Sequence, residues 1–295
     1  MENKTIKKKR TKIITLSVIG IALVLLIVWI AWGNSALELN SYRIASNSLP
    51  KEFEGFRIAQ VSDLHNAEMG KDNEKLISML VEAAPDIIVI TGDIIDSRNT
   101  NVDVALDFAE QAVKIAPCYY VTGNHEARVD EYSDLKDGLI ELGVTVLEDA
   151  KTQIVLSGEI ITLVGVDDPS FQTDYLFGDD ETVLNSKLNE LISEEDGYVI
   201  LLSHRPELFD TYVENKVDLI FSGHAHGGQF RIPFIGGVVA PNQGVFPKYD
   251  AGIFTEGNTN MVVSKGVGNI IIPFRVCNRP EVILIELTPQ GELVE

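Results

Sequence analysis

Five short apolar runs constrain the fold of this 295-residue chain more than any other feature. Each run stops at a glycine, an aspartate or a serine. Runs of four to eight β-branched and aromatic residues that stop at polar or glycine residues are typical of interior strands in a largely parallel sheet. Helical patterns alternate with these strands, so the sequence predicts an α/β fold. The five predicted strands cover residues 57–62, 87–91, 118–122, 198–202 and 218–221.

The segments between these strands have apolar residues at helical spacing. They predict helices near residues 76–81, 105–113 and 183–192, and Pro206 is expected to open another helix. A hairpin is predicted at 154–164, a last strand at 282–287 and an edge strand near 37–44.

Residues with metal-binding side chains follow every one of the five strands. All five histidines of the chain fall in these groups. Because ligands collect beyond the carboxyl ends of strands in open α/β sheets, we expect the groups to converge. Imidazole, carboxylate and amide ligands without thiolate favour a polynuclear centre of Mn, Fe or Zn over a calcium cage. The groups are Asp63-Leu64-His65, Gly92-Asp93, Gly123-Asn124-His125, Ser203-His204 and Gly223-His224-Ala225-His226.

This ordered set of motifs resembles the calcineurin-like metallophosphoesterase family over residues 55–287. The segment Gly223–Gln229 looks most like the membrane-associated bacterial YkuE/YaeI-like branch of that family. The resemblance implies a four-layer α-β-β-α sandwich that carries two metal ions and hydrolyses phosphoester bonds. A hydroxide that bridges two cations is the nucleophile expected in such a centre.

The resemblance also assigns a role to each ligand. Asp63, His65 and His226 would bind one metal ion, whereas Asn124, His204 and His224 would bind the second. Asp93 would bridge the two ions. His125 would stand beside them as the proton donor to the leaving oxygen, or as a stabiliser of developing charge. The sequence assigns no substrate-binding residue.

Each of these residues also has an ordinary explanation when taken alone. Asp63 could cap a helix, Asp93 and Asn124 could form turns, and the histidines could be buried structural residues. Four neighbouring positions have two open interpretations. Arg205 is expected at the protein surface rather than in contact with phosphate, and Asp167-Asp168 could form a turn or support a metal ligand. Glu126 could hold a metal ligand in place or begin a helix. Gly227-Gly228-Gln229 could approach the substrate or form a tight turn.

The sequence predicts a membrane anchor in the N-terminal region. Residues 1–12 contain six Lys or Arg and one acid, and residues 13–32 contain no charge. Twenty apolar residues in a helix span roughly the 30 Å core of a bilayer, and the only tryptophans, Trp29 and Trp32, fall at the far end. The basic tail is expected to be cytoplasmic, with a connector at 33–54 and an extracytoplasmic catalytic domain at 55–295. A cleaved signal peptide is the alternative.

Charge and cysteine content narrow the class of function. The net charge is −20, and without the +5 tail the rest of the chain has about −25. We therefore expect no nucleic-acid platform, because affinity for polyanions comes largely from neutralising phosphates. Cys118 and Cys277 form no Cys-x-x-Cys pair, which argues against thiolate zinc, and whether they pair with each other is open.

These observations favour a membrane-anchored hydrolase of phosphodiester or pyrophosphate bonds, with lipid-linked or cell-envelope substrates as the expected class and no predicted protein partner. Two alternatives stay open. One is a nucleotide phosphodiesterase that acts on soluble substrates, and the other is a noncatalytic metal-binding module of the cell envelope.

Overall fold

The computed structural model describes residues 2–172, 179–269 and 272–290. Its helices are α1 (Glu2–Ser35), α2 (Glu74–Ala83), α3 (Val102–Ala112), α4 (Tyr132–Glu141), α5 (Asp180–Leu191) and α6 (Phe209–Glu214). Its strands are β1 (Glu38–Ser46), β2 (Arg57–Val61), β3 (Ile87–Thr91), β4 (Cys118–Val121), β5 (Thr145–Val146), β6 (Ala150–Leu156), β7 (Glu159–Gly165), β8 (Tyr198–Leu202), β9 (Leu219–Ser222), β10 (Arg231–Ile232), β11 (Gly236–Gly237), β12 (Val239–Ala240), β13 (Gly244–Val245), β14 (Gly252–Glu256), β15 (Thr259–Val263) and β16 (Glu281–Pro289).

The strands form two six-stranded sheets. The first has the order β1-β16-β2-β3-β4-β5 and the second the order β14-β15-β9-β8-β7-β6. Neighbouring strands run parallel except at β16–β2, β14–β15 and β6–β7. The prediction of largely parallel strands is therefore confirmed, but the five strands that precede the metal-binding motifs are divided between two sheets, with β2, β3 and β4 in the first and β8 and β9 in the second.

The two sheets pack face to face around one apolar core. Ile58 and Val89 of the first sheet belong to the same buried cluster as Leu163, Ile200 and Phe221 of the second. Side chains of a strand alternate between its two faces, so the intervening residues must be covered on the outside of each sheet. This alternation explains why the central strands are apolar at almost every position.

Helices cover both outer faces. Ala59, Ile88 and Ile90 of the first sheet pack with residues of α2, α3 and α4. Leu201 and Ile220 of the second sheet pack with residues of α5 and α6. The layers are thus helix, sheet, sheet and helix, which confirms the four-layer fold class.

Several elements lack a clear sequence signal. Helix α4 buries only Leu135 and Leu139, and this single pair is too short an apolar stripe to stand out in the sequence. Strands β14 and β15 form an antiparallel pair, and β10–β11 and β12–β13 form two-residue ladders. The predicted hairpin, edge strand and last strand are present as β6–β7, β1 and β16.

Helix α1 is long and apolar enough to cross a membrane, and its apolar side chains are exposed. Its end is joined to the rest of the protein by paired hydrogen bonds. Asn34 Nδ2 donates to the carbonyl of Arg275 at 3.0 Å, and the N–H of Arg275 donates to Asn34 Oδ1 at 2.7 Å. The guanidinium of Arg279 lies 5.1 Å from the ring centroid of Trp32. Strand β1 then pairs with β16 over nine residues.

Candidate metal centre

The polar groups that follow β2, β3, β4, β8 and β9 meet at one edge of the two sheets. The loops after these strands are bonded to one another within and between the sheets. The N–H of Asp63 donates to the carbonyl of Gly92 at 3.0 Å, and the N–H of His224, in the other sheet, donates to Asp63 Oδ1 at 3.1 Å. The convergence expected from the strand order is therefore what the structure contains.

A first group consists of Asp63, His65, Asp93 and His226, all buried. One potential ligand atom from each lies within 4.8 Å of those of the others. His226 Nε2 is 3.1 Å from His65 Nε2 and 3.2 Å from Asp63 Oδ1, and His65 Nε2 is 3.7 Å from Asp93 Oδ2. Two imidazoles and two carboxylates that face each other at these distances suit a hard or borderline cation.

A second group consists of Asp93, His204 and His224, so that Asp93 belongs to both groups. His204 Nε2 is 3.2 Å from Asp93 Oδ2 and 3.2 Å from His224 Nδ1. His204 Nδ1 donates to the carbonyl of Thr91 at 2.7 Å. This bond fixes the ring so that Nε2 points towards the group, as in histidines that bind metals in proteins.

Asn124 is buried between two residues that contact Asp93. The N–H of His125 donates to Asp93 Oδ1 at 2.7 Å, and a Cβ at Gly123 would collide with Asp93. The Oδ1 atom of Asn124 accepts no hydrogen bond from any described residue. A buried carbonyl oxygen without a donor costs free energy, and a cation would satisfy it.

Backbone strain is concentrated at this site. Five of the seven expected ligands have φ between 46° and 64°: Asp63, His65, Asp93, His224 and His226. This left-handed conformation costs about 1–2 kcal/mol for each residue that is not glycine. Strain of this kind persists where the surrounding structure imposes it, most often at functional sites. Gly223 allows the tight approach, because a Cβ there would collide with Ser62 and Asp63.

Burial and neighbouring charges shift the pKa values of the expected ligands in different directions. Burial lowers the pKa of His65 to about 3 and that of His226 well below its usual value, so both rings are neutral near pH 7. Burial opposes ionisation of Asp93, but the imidazoles of His204 and His65 hold its pKa well below the usual range. Burial also lowers the pKa of His204, yet the Asp93 and Asp63 carboxylates raise it to about 10. A cation that binds His204 Nε2 would therefore have to displace the proton of this ring.

His125 lies beside both groups without belonging to either. Its ring centroid is 4.5 Å from that of His65. Its Nδ1 accepts the backbone N–H of Ser97 at 3.0 Å, and Asp96 Oδ1 is 3.5 Å away. Because Nδ1 is an acceptor, the proton of the neutral ring is on Nε2. The structure thus provides a half-buried imidazole N–H at the edge of the site.

The sequence leaves open whether Glu126 supports a ligand or begins a helix, and the structure buries its side chain completely. Its Oε2 accepts the N–H groups of Asp93 at 2.9 Å and Gly123 at 2.8 Å, and its Oε1 accepts that of Ile94 at 2.8 Å. Burial and the Asp93 carboxylate raise the pKa of Glu126 above its usual value, whereas the backbone N–H donors lower it. One side chain therefore connects the loops that follow β3 and β4.

We expect Glu126→Gln to lower turnover by about 10- to 100-fold, as for other residues that orient metal ligands. The amide replaces one acceptor oxygen by a donor, so the N–H groups on one side of the carboxylate lose their partner. Steady-state kinetics and bound metal per chain would measure the effect. Glu131→Gln, at an exposed position nearby, is the matched control. Equal turnover in the two variants would contradict this role.

Arg205 is 5% exposed, so its interpretation as a surface residue was wrong. Its Nη2 donates to Asp168 Oδ1 at 2.8 Å and to Ser170 Oγ at 3.0 Å, and its Nε donates to Asp168 Oδ2. Its Nη1 lies 3.2 Å from His224 Nε2. Burial and the Arg205 charge hold the pKa of His224 well below its usual value. A two-pronged ion pair therefore supports the second group.

We expect Arg205→Ala to lower the free energy of unfolding by about 3–5 kcal/mol, because the buried Asp168 carboxylate would lose its charged partner. Adding Asp168→Ala to the same chain should recover part of this loss. Denaturant unfolding of Arg205→Ala, Asp168→Ala and the double variant measures the effect, with Arg128→Ala at an exposed position as control. A double variant as unstable as the sum of its two single variants would rule out the coupling.

Comparisons with known proteins agree with the geometry. The family model described as calcineurin-like phosphoesterase matches residues 56–228. The metallophosphoesterase YkuE of Bacillus subtilis (strain 168) is 30% identical over 259 residues, which cover 85% of each chain. The phosphodiesterase YaeI of Escherichia coli (strain K12) is 27% identical over 85% of this chain and 88% of its own. A transmembrane protein with metallophosphoesterase domain of Danio rerio is 27% identical over 83% of this chain and 56% of its own. The chain therefore belongs to the calcineurin-like phosphoesterase family and is a metal-dependent phosphoesterase.

Proposed function

We propose that this protein is a membrane-anchored phosphoesterase that uses two metal ions to hydrolyse phosphodiester or pyrophosphate bonds. The observation that carries the proposal is the pair of buried ligand groups that share Asp93. When bound, two such cations would neutralise phosphate oxygens and lower the pKa of a water molecule between them.

The proposed ligands follow the assignment made from the motifs. Asp63, His65 and His226 would hold one ion, Asn124, His204 and His224 would hold the other, and Asp93 would contribute to both. The neutral oxygen of Asn124 limits the negative charge of the site, so that an anionic phosphate is not repelled. Oxygen and nitrogen ligands without thiolate favour Mn, Fe or Zn.

His125 is the proposed proton donor to the leaving oxygen. Ser97 holds its Nδ1 as an acceptor, so the proton on Nε2 is the one that can be transferred or shared. Glu126 keeps Asp93 and the loop of Asn124 in place, and Arg205 keeps His224 neutral. Each of these residues acts through geometry that exists before substrate binds.

The membrane part of the proposal rests on α1. Six basic residues precede its apolar segment, so we propose that the N-terminus is cytoplasmic and that the catalytic domain lies on the other side of the membrane. The similarity to a transmembrane protein with metallophosphoesterase domain supports an anchored enzyme. Substrates in lipid-linked form or in the cell envelope would be within reach of such a domain.

Hydrolysis of bis-p-nitrophenyl phosphate by the full chain in lipid nanodiscs tests the enzymatic part, together with metal analysis of the purified protein. We expect turnover that requires bound metal and that disappears in His224→Ala. Turnover unaffected by this substitution would exclude the proposed centre. A folded, metal-loaded protein without turnover would instead favour a noncatalytic module. Comparing the turnover of soluble nucleotide phosphodiesters with that of phosphodiesters embedded in the bilayer distinguishes the two substrate classes.

A further inference from the structure

We propose that two short hairpins beside the metal centre insert into the surface of the membrane that α1 is proposed to span. The first is β10–β11 and the second is β12–β13, and we call residues 231–246 together with Phe274 the apolar rim. The inference rests on the proposed membrane anchoring and not on the proposed catalysis. It gives the domain a second attachment to the lipid bilayer.

Exposed apolar side chains are concentrated in the apolar rim. Outside α1, twelve large apolar side chains of the described residues are exposed, and seven of them belong to the rim. The other five are scattered over α2, α4 and the β6–β7 hairpin. A group of exposed apolar side chains this dense marks a surface that contacts a partner or a membrane. The seven are Ile232, Phe234, Ile235, Val239, Val245, Phe246 and Phe274.

The local backbone explains why these side chains project outwards. The N–H of Ile235 donates to the carbonyl of Ile232 at 3.0 Å, which closes a tight turn with Phe234 at its tip. The N–H of Phe246 donates to the carbonyl of Val238 at 2.9 Å. Hairpins that satisfy these backbone groups internally can enter an apolar phase at lower cost than an open loop. Phe234 is fully exposed, so it has no role in packing the domain.

The apolar rim adjoins the end of α1 that carries the two tryptophans. A cavity of about 260 Å³ is lined by Trp29 and Trp32 of α1 together with Arg231 and Cys277. A second cavity, lined by Phe234 and other rim residues, shares Arg231 and Cys277 with the first. Tryptophans at the end of a membrane-spanning helix lie at the level of the lipid headgroups. The rim is therefore placed where the bilayer surface would be.

One exposed basic residue, Lys248, lines the cavity beside the first hairpin. The other basic residues of the two cavities are paired or buried: Arg231 pairs with Asp250, Lys265 and Arg279 pair with Glu38, and Arg275 is buried. The inference therefore rests on the exposed apolar side chains and on their position beside α1, and not on a basic surface.

The rim is also continuous with the metal centre. The N–H of Val238 donates to the carbonyl of Gly228 at 3.2 Å, only two residues after His226. Gln229 Nε2 donates to the carbonyl of Phe274 at 2.8 Å, and Asn278 Nδ2 donates to that of His226 at 2.7 Å. A rim immersed in lipid would therefore hold the metal centre at the height of the headgroups. Taken together with the proposed catalysis, this position would favour a phosphoester of a lipid headgroup as the substrate.

The depth of single side chains in the bilayer tests this inference. Phe234→Cys and Phe246→Cys would each carry a nitroxide label in the full chain, with Cys277→Ser to remove the exposed native thiol; Cys118 is buried. The protein would be reconstituted in phosphatidylcholine–phosphatidylglycerol vesicles. Collision rates with oxygen, which enters lipid, and with a water-soluble nickel chelate would be compared. Gly20→Cys reports on the anchor, and Val155→Cys, exposed on the distant β6–β7 hairpin, is the aqueous control.

We expect labels at 234 and 246 to favour collisions with oxygen, as the label at 20 does, and the label at 155 to favour the nickel chelate. Labels at 234 and 246 that resemble 155, or that are shielded from both reagents by a second copy of the chain, would overturn the inference while the label at 20 still reported an anchor. A label at 20 in water would instead refute the anchoring itself.

A second measurement tests whether Phe234 and Phe246, the aromatic tips of the two hairpins, hold the apolar rim in the bilayer. A label at Phe274→Cys should lose most of its oxygen preference when Phe234→Ser and Phe246→Ser are combined, because burial of one phenylalanine in lipid is worth more than about a tenfold change in population. Val81→Ser with Val155→Ser, at two exposed positions elsewhere, should leave the label unchanged. Equal depths in both double variants would argue against a role for the tips.

Discussion

Asp93→Asn should reduce phosphodiester turnover by about a thousandfold or more. Asp93 belongs to both ligand groups, and its Oδ2 is 3.2 Å from His204 Nε2 and 3.7 Å from His65 Nε2. The same oxygen faces both groups, and a neutral amide oxygen in its place would be a much weaker ligand for two cations. Metal ions stabilise phosphoryl transfer by several kcal/mol, and a loss of about 4 kcal/mol corresponds to about a thousandfold lower rate.

The measurement is kcat on bis-p-nitrophenyl phosphate together with the number of metal ions per chain. We expect Asp93→Asn to bind fewer than the parent. Asp134→Asn, at an exposed position on α4, is the matched substitution and should behave as the parent. An Asp93→Asn variant with full metal content and full turnover would show that the shared carboxylate is not part of the working site.

His125→Ala should lower kcat by about 10²- to 10⁴-fold, the usual contribution of a general acid, without loss of metal. The residue lies in neither of the two groups that share Asp93, and its Nδ1 is held by Ser97, so its removal takes away one N–H and no proposed ligand. We therefore expect this variant to lose turnover while it keeps the metal content of the parent.

The leaving group distinguishes a proton donor from a merely structural residue. p-Nitrophenolate leaves readily without protonation, whereas an alkoxide does not. The loss caused by His125→Ala should accordingly be much larger for an alkyl phosphodiester than for bis-p-nitrophenyl phosphate. An equal loss for both substrates would favour charge stabilisation or positioning over proton transfer.

Much of the fold was readable because its central strands are buried on both faces. Their continuous apolar runs stand out in the sequence, and β2, β3, β4, β8 and β9 lie within a residue or two of the predicted ranges. Periodicity did not show how these strands divide between two sheets, because strands of either sheet have the same apolar pattern. The family resemblance implied that division, and the two helix-covered outer faces confirm it.

The site was predictable to the extent that its residues follow strands. Asp63, His65, Asp93, His204, His224 and His226 lie together because the ends of those strands lie together, and their roles as ligands stay proposals. Arg205 had no such signal. Its sequence neighbours suggest a surface residue before a proline, and its burial depends mainly on Asp168, 37 positions away, which accepts two of its hydrogen bonds.

The sequence by itself determined which side chains can bind cations and the order in which they follow the strands, because local apolar runs and short motifs are properties of neighbouring residues. Only the tertiary structure decided that Glu126 joins two ligand loops, that Arg205 is buried with Asp168, and that exposed hairpins lie beside the end of α1. Burial and charge pairing depend on contacts between residues far apart in the chain, and no local pattern specifies them.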